Sequence, residues 1–588
     1  MSRSEVRDGM RIEWDVPIEV RGGTTLRCDV FRPDAPGAYP VLLTHGPYAK
    51  GLSFQEGFAG MWNVLATRHP DALAGSTNKY QVWETPDPEK WVPDGYICVR
   101  VDSRGAGRSP GYLDIFSKQE TQDYYDCIEW AGVQPWSNGR VGLLGISYYA
   151  SNQWQVAALN PPHLAAICPW EGASDYYREF TRHGGILSTF FEEWYPMCVG
   201  RVQHGLGENG LVSTLNGELV SGPETLGVEQ LSTMAQPYLD DLHQHDLLDD
   251  YYRERTADLA SISVPMLSAT NWAHHLHTRG NFEGYLESGS PEKWLEVHGL
   301  EHYVHFYTDY GVTLQKRFFG HFLKGEDTGW TNQPPVTLNL REVDGGFIQR
   351  AEQEWPLDRT QWTNIYLDGA SMSLAADKPS QDSAVEVDTA AEGVTFELAP
   401  FDEEVEITGP ISANLHVSSS TVDADVFVTV RLLDLSGADV TLRSALDPSG
   451  IITAGWLRAS HRKLDPERST DYRPVHPHDE RQPLTPGEVV ELQVEVWPTS
   501  LLVPVGYRLS FTVSGQDFEF SGEGPWPQLY GIPMRGQGIF LHNDPIDRPA
   551  HIFGGITTLY SGPEHPSSIL LPIIPRKTTE SAAAPTSR

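Results

Sequence analysis

Ser147 stands where an apolar run gives way to a helical pattern, and that placement suits a nucleophile. Val141 to Leu144 reads as a buried strand. From Tyr149 to Leu159 the period becomes helical, with Trp154, Ala157 and Ala158 on one face and Asn160-Pro161-Pro162 as the stop. A serine at a strand-to-helix turn is the layout of a nucleophile elbow, which lifts its hydroxyl above the end of a sheet. Such a turn needs small neighbours. Gly145 lies two positions before Ser147 and Ala150 three after, while Tyr149 occupies the place where a second glycine is usual. An ordinary strand-turn-helix with a capping serine is the competing reading.

A serine nucleophile requires a base, a group that orients the base, and donors for an oxyanion. In an α/β-hydrolase the base follows the last strand, which Lys293 to His298 supplies here. His302 is therefore the expected base, with His298 and His305 as rivals; His298 lies too close to the strand itself. The expected oxyanion donors are the backbone N–H of Tyr148 and the hydroxyl of Tyr48, in the loop after an early strand. His274, His275, His277, His302 and His305 also form a histidine-rich set that could bind a metal. Its spacing is not the HExxH helix pattern.

The flanking elements fit a sheet that could hold these groups. Ile12 to Val20 and Thr24 to Phe31 read as a hairpin about Gly22-Gly23, and Tyr39 to Tyr48 as a buried strand running into a loop. Tyr96 to Asp102 is another buried strand, followed by the glycine-rich Ser103 to Gly111, which lacks the Lys-Ser/Thr of a phosphate loop. Gln119 to Gly132 reads as an amphipathic helix, His163 to Trp170 and Ile262 to Ala269 as further strands, and Thr313 to Leu323 as a closing helix. Alternating strands and helices imply a parallel sheet covered on both faces. Residues 171–255 break the alternation with helix-like Ile186 to Trp194 and Val228 to Asp250, and read as a helical cap over the carboxyl edge of the sheet. From about 333, starting with Val336 to Val343, short alternating runs replace the helical periods, as in a β-sandwich.

The chain has 588 residues and a formal net charge of -36, which argues against nucleic acid and anionic membranes as partners. Five scattered cysteines, without CxxC or zinc-like spacing, read as buried free thiols of a reducing compartment. The first residues carry no apolar signal core, so a cytoplasmic protein is expected. No cofactor motif stands out, and a homo-oligomer is left open.

Several motifs together resemble the CocE/NonD hydrolases, the cocaine esterase-type branch of the α/β-hydrolases related to X-Pro dipeptidyl-peptidases and α-amino-acid ester hydrolases. They are Gly46-Pro47-Tyr48, Asp102 to Ser109, Gly145-Ile146-Ser147-Tyr148 and His302 in the first half. In the second half they are Ile407-Thr408-Gly409-Pro410, Ser418-Ser419-Ser420 to Asp423-Ala424-Asp425, and Gly455 to His461. The resemblance spans almost the whole chain. It implies an α/β-hydrolase domain over 1–170 and 256–330, a helical cap over 171–255, a C-terminal jelly-roll β-sandwich over 331–576, and a disordered tail over 577–588. It also implies Ser147 as nucleophile, His302 as base, and Tyr48 with Tyr148 as oxyanion donors.

One departure stands out. The family's acid is an aspartate soon after the strand at Val264 to Ala269, typically two after a Trp or Phe. Here the stretch reads Asn271-Trp272-Ala273-His274, with no aspartate. Asp175 and Glu301 are the substitute carboxylates to consider. The expected activity is serine acyl hydrolysis of an ester or amide of a small molecule. The missing aspartate leaves two alternatives, a weakened serine-histidine dyad or an altered, non-hydrolytic binding protein on this scaffold, and the histidine-rich set adds a third, a metal-dependent hydrolase using the His274–His277 loop.

Overall fold

In the computed structural model, which describes residues 3–389, 392–521 and 526–575, Ser147 lies at the carboxyl edge of a mixed sheet. The tail expected over 577–588 lies outside the described residues. The sheet strands are β1 (Arg3–Arg7), β2 (Met10–Glu19), β3 (Thr25–Pro33), β4 (Tyr39–Gly46), β5 (Ile97–Asp102), β6 (Ser137–Ile146), β7 (Leu164–Trp170), β8 (Met266–Asn271), β9 (Lys293–His298), β10 (Val336–Arg341) and β11 (Phe347–Glu352). Their order is β1-β2-β3-β5-β4-β6-β7-β8-β9-β10-β11, parallel from β5 to β10 and antiparallel at both ends. Successive strand residues serve opposite cores. Leu42, Leu144 and Ile146 enter one cluster, while Val41, Leu43, Val141 and Leu143 enter the other. That is why the central strands are continuously apolar rather than alternating.

The elbow sits between α1 (Lys118–Gly132) and α2 (Tyr148–Ala157), while α3 (Thr278–Glu287) and α4 (Asp309–Phe319) follow β8 and β9. Ser117 caps α1 by accepting from Glu120 N. The expected cap helices are broken into short pieces, Phe190–Trp194, Val228–Thr233, Tyr238–Gln244 and Asp250–Arg253. Pro237 stands at the N-cap of Tyr238–Gln244, in the break after Val228–Thr233, where it cannot continue a helix. The glycine-rich loop after β5 is filled from within. The Asp102 carboxylate accepts from Lys50 N at 2.6 Å and Arg108 N at 2.8 Å, so these amides are not offered to a phosphate.

Two expectations about the C-terminal half are corrected. Val336–Arg341, read as the first strand of a separate sandwich, instead extends the first sheet. Leu295 pairs with Val336 and Val297 with Leu338, and Val336 and Leu338 are buried in the same cluster as those partners. A period of two looks the same in either setting, so the sequence carried no mark of this. Nor do the later strands divide into separate sheets. Val405–Ser419 pairs both with Val490–Val503 and with Ser568–Ile574, and through the latter and Gln361–Asp368 the hydrogen bonds return to the start, closing a β-barrel. Its interior is filled by residues such as Leu415, Val428, Leu492 and Phe511. Among the described residues no helix is long and apolar enough to cross a membrane.

Arg279 ties the three parts together. From α3 its guanidinium reaches Glu179 of the cap at 2.7 Å and Glu495 of the barrel at 2.9 Å, with only 4% of the residue exposed. Arg279→Ala would leave buried carboxylates without their cation, at a cost of about 3–5 kcal/mol. The first urea transition is expected to move to lower denaturant; an unchanged midpoint would show that this arginine is not a tie.

Candidate active site

The end of β6 forces Ser147 into an uncommon conformation. Its φ of 57° and ψ of -113° place a non-glycine residue in a strained region, of the kind found at nucleophile elbows. The strain is held by hydrogen bonds. Ser147 N donates to the carbonyls of Trp170 and Glu171, at 3.2 and 3.1 Å, and Ile146 N donates to Glu84 O at 3.0 Å. A Cβ at Gly145 would lie 2.5 Å from Tyr149 Cβ, and one at Gly46 would lie 2.7 Å from the Tyr149 ring. Tyr149 can therefore replace the usual glycine because β4 gives up its own side chain at Gly46.

The hydroxyl of Ser147 meets an imidazole other than the expected one. Ser147 Oγ lies 2.9 Å from His277 Nε2. His302, expected as the base, lines the same cavity, but its Nε2 lies 3.3 Å from Glu84 Oε1. The physical reason is a buried carboxyl that the sequence gave no cause to suspect. Glu84, 2% exposed, is close enough to Ser147 for the hydroxyl to bear on its acidity. Burial nevertheless holds the Glu84 carboxyl well above the ordinary range. Burial also pushes both imidazoles down, His277 well below 6.5 with the His302 ring adding to the effect, and His302 to about 3. At neutral pH both rings are uncharged, and His277 can accept a proton.

Tyr48 and Tyr148 lie beside the serine as expected. The indole N–H of Trp194 donates to the Tyr48 hydroxyl oxygen at 3.2 Å, which leaves the phenolic hydrogen free. Burial pushes the Tyr48 phenol well above 10, so it keeps that hydrogen. Tyr148 opens α2, where the first N–H groups lack intrahelical acceptors. Its own hydroxyl is anchored to Glu120 at 2.6 Å. Around these groups lies a cavity of about 30 Å³, walled by Tyr48, Trp83, Phe190, Trp194, Tyr530 and Phe540. An enclosure this small and aromatic limits the part of a substrate that sits against Ser147.

Neither substitute carboxylate orients the base. Asp175 accepts from the backbone of Tyr177 and Arg178 and from the Arg178 guanidinium. Glu301 turns to His69, 3.0 Å away. Among the described residues the Nδ1 atoms of His277 and His302 have no hydrogen-bond partner. His274, at the place of the family's aspartate, cannot fill the role. Its Nδ1 accepts from Leu276 N at 3.2 Å, which puts the hydrogen of the neutral ring on Nε2 and makes that atom a donor. His298, rightly kept apart from the base, lies between Glu171 at 2.7 Å and Glu296 at 2.6 Å and is raised to about 10, against burial, by Glu296 and then Glu171. His305 packs against His298 and Tyr310. Among the described residues no group of three or more His, Cys, Asp or Glu converges as metal ligands.

Sequence reasoning therefore anticipated the elbow at Ser147 and the nearness of Tyr48 and Tyr148, but it weighed His277 only as a metal ligand and did not single out Glu84. A signal for His277 was present: it immediately precedes α3 in the loop where an acid was sought. Glu84, in an irregular stretch far from any motif, gave none.

The comparisons agree with this architecture. Residues 22–304 match the X-Pro dipeptidyl-peptidase (S15 family), and residues 328–570 match the X-Pro dipeptidyl-peptidase C-terminal non-catalytic domain. The cocaine esterase of Rhodococcus sp. (strain MB1 Bresler) is 26% identical, with 96% of this chain and 98% of that protein aligned. An α-amino-acid ester hydrolase superposes with a TM-score of 0.65 at 16% identity, covering 97% of this chain and 96% of its own, a likeness of fold. A CocE/NonD family hydrolase from Staphylococcus aureus superposes with a TM-score of 0.82 at 31% identity, covering 96% of this chain and 94% of its own. With that match over nearly the whole of both chains, this protein belongs to the CocE/NonD hydrolases and is a serine hydrolase.

Proposed function

We propose that the protein hydrolyses a small ester through an acyl-enzyme on Ser147. The observation that carries this reading is the 2.9 Å contact between Ser147 Oγ and His277 Nε2 at a strained elbow. His277 takes the hydroxyl proton as the oxygen attacks the acyl carbon. The Tyr48 hydroxyl and the Tyr148 N–H stabilise the oxyanion that develops, as preorganised donors do. His277 then returns its proton as the acyl group is released to water.

Two features favour an ester over an amide. His277 Nδ1 lacks a carboxylate partner, and loss of that partner costs on the order of 10⁴ in rate in the serine protease template. A base system so reduced suits an alkoxide or phenoxide leaving group rather than an amine. The cavity of about 30 Å³ suits a compact, uncharged acyl group.

The test is covalent labelling. A fluorophosphonate is expected to add once, on the peptide that carries Ser147. An adduct elsewhere, or none, removes this serine from the mechanism. The pH profile has a definite sign. The working form of His277 is unprotonated, and burial lowers its pKa well below 6.5. Acylation of Ser147 is therefore expected to hold steady as pH falls through 6.5 and to fail only at lower pH. A midpoint at 6.5 would point to an ordinary, solvated histidine as the base.

A further inference from the structure

Among the described residues that line the cavity, Glu84 alone carries a carboxyl. Its backbone is left-handed, φ 62°, although it is not glycine, and its carbonyl anchors Ile146 N beside the elbow. Strain of this kind persists only where the surroundings impose it, and it gathers at functional sites. The side chain is 2% exposed and wedged between Ser147 and His302. The ring of His302 contacts Oε1, and the Ser147 and Trp83 side chains lie close enough to bear on the carboxyl, while Oε2 is buried without a close hydrogen-bond partner among the described residues. A buried carboxyl oxygen with no close hydrogen-bond partner, beside a nucleophile, is placed to exchange protons with whatever enters the cavity.

We propose that Glu84 is a second proton-transfer residue of this site: it protonates the leaving-group oxygen during acylation and takes a proton from water during deacylation. The inference rests on the reading of Ser147 as nucleophile. Burial raises the Glu84 carboxyl well above the ordinary range, the direction that favours the protonated form an acid must start in.

The step balances. In acylation the Ser147 proton passes to His277, Oγ bonds to the acyl carbon, the ester C–O bond breaks, and the departing oxygen takes its proton from Glu84. The acyl-enzyme then holds opposite charges in one cavity, a His277 imidazolium and a Glu84 carboxylate, and their attraction offsets the burial that keeps each neutral at rest. In deacylation water gives one proton to Glu84, its oxygen bonds to the acyl carbon, and Ser147 Oγ leaves and recovers its proton from His277. Both residues end as they began. His302 acts as a positioning residue: its neutral Nε2–H donates to Oε1 and directs the acidic hydrogen to Oε2.

The experiment compares wild type with Glu84→Gln on two esters of one acyl group, a 4-nitrophenyl ester and an ethyl ester. The nitrophenolate leaves without an acid and the ethoxide does not. Acylation by the aryl ester is expected to change by less than about threefold, whereas kcat/KM for the ethyl ester falls by about 10²–10³. With the aryl ester the variant should show a burst of nitrophenol, a steady state slowed by about 10² and an acyl adduct on Ser147 by mass spectrometry. Wild-type turnover of the ethyl ester should also fall as pH rises through the raised pKa of Glu84, a limb absent from the variant. Equal losses on the two esters without an adduct, or no loss on either, would overturn the proposal. Fluorophosphonate labelling of the variant reports that the serine is intact; if glutamine prevents it, Glu84→Asp is put through the same comparison and must show the same bias between the esters. A wild-type enzyme that takes no label at all defeats the nucleophile reading instead.

Discussion

Replacing Ser147 with alanine is expected to lower kcat by about 10⁶-fold, the scale set by loss of the nucleophile in subtilisin. Alanine keeps the Cβ and so meets the same backbone strain at φ 57°, which makes the substitution a deletion of one oxygen rather than a change of fold. The variant should unfold at the same temperature and still bind a slow ester substrate. It should take no fluorophosphonate. Residual hydrolysis above the rate in water would come from Tyr48 and Tyr148, which remain in place to stabilise an oxyanion. Activity within tenfold of wild type would show that another group attacks the ester.

The second large effect separates the two imidazoles. His277→Ala is expected to lower the acylation rate by about 10³-fold, within the range for removal of a general base. His302→Ala is expected to change it by less than about threefold with an activated aryl ester, because that ring touches Glu84 rather than Ser147. Rapid-quench measurement with that ester isolates acylation from the later step. Both rings are buried in the same cavity, so a non-specific packing loss would lower the stability of both variants alike. The reverse order of effects, with His302→Ala the more damaging, would return the role of base to His302. It would also mean that the Ser147–His277 contact belongs to a resting state alone.

Much of the site was legible because its signals are local. An apolar run ending at Gly145, a serine and a helical period specify an elbow without reference to the rest of the chain, and the structure forms it from β6 and α2. Tyr48 follows the strand that pairs beside β6, so its arrival near Ser147 is a consequence of sheet order. The base was harder. His277 and His302 each follow a strand of the parallel sheet, β8 and β9, and both loops open on the same edge. Which ring meets the serine depends on what each ring packs against, and the side chain that engages His302 is Glu84, 63 positions before Ser147 in a stretch without regular pattern. The barrel shows the same division. Alternating runs identified its strands, but closure depends on Ser568–Ile574 pairing with both Val405–Ser419 and Gln361–Asp368.

By itself the sequence determined what short-range chemistry dictates: the strands, the elbow, the serine, the nearness of Tyr48 and Tyr148, and the place of this chain among hydrolases. Only the tertiary structure decided which imidazole faces the hydroxyl, that among the described residues no carboxylate backs it, and that Glu84 is buried beside Ser147 and His302. The physical reason is that a hydrogen bond is settled by tenths of an ångström and by competing partners. Those partners come from segments that hydrophobic packing brings together over hundreds of residues, and no periodicity along the chain records their meeting.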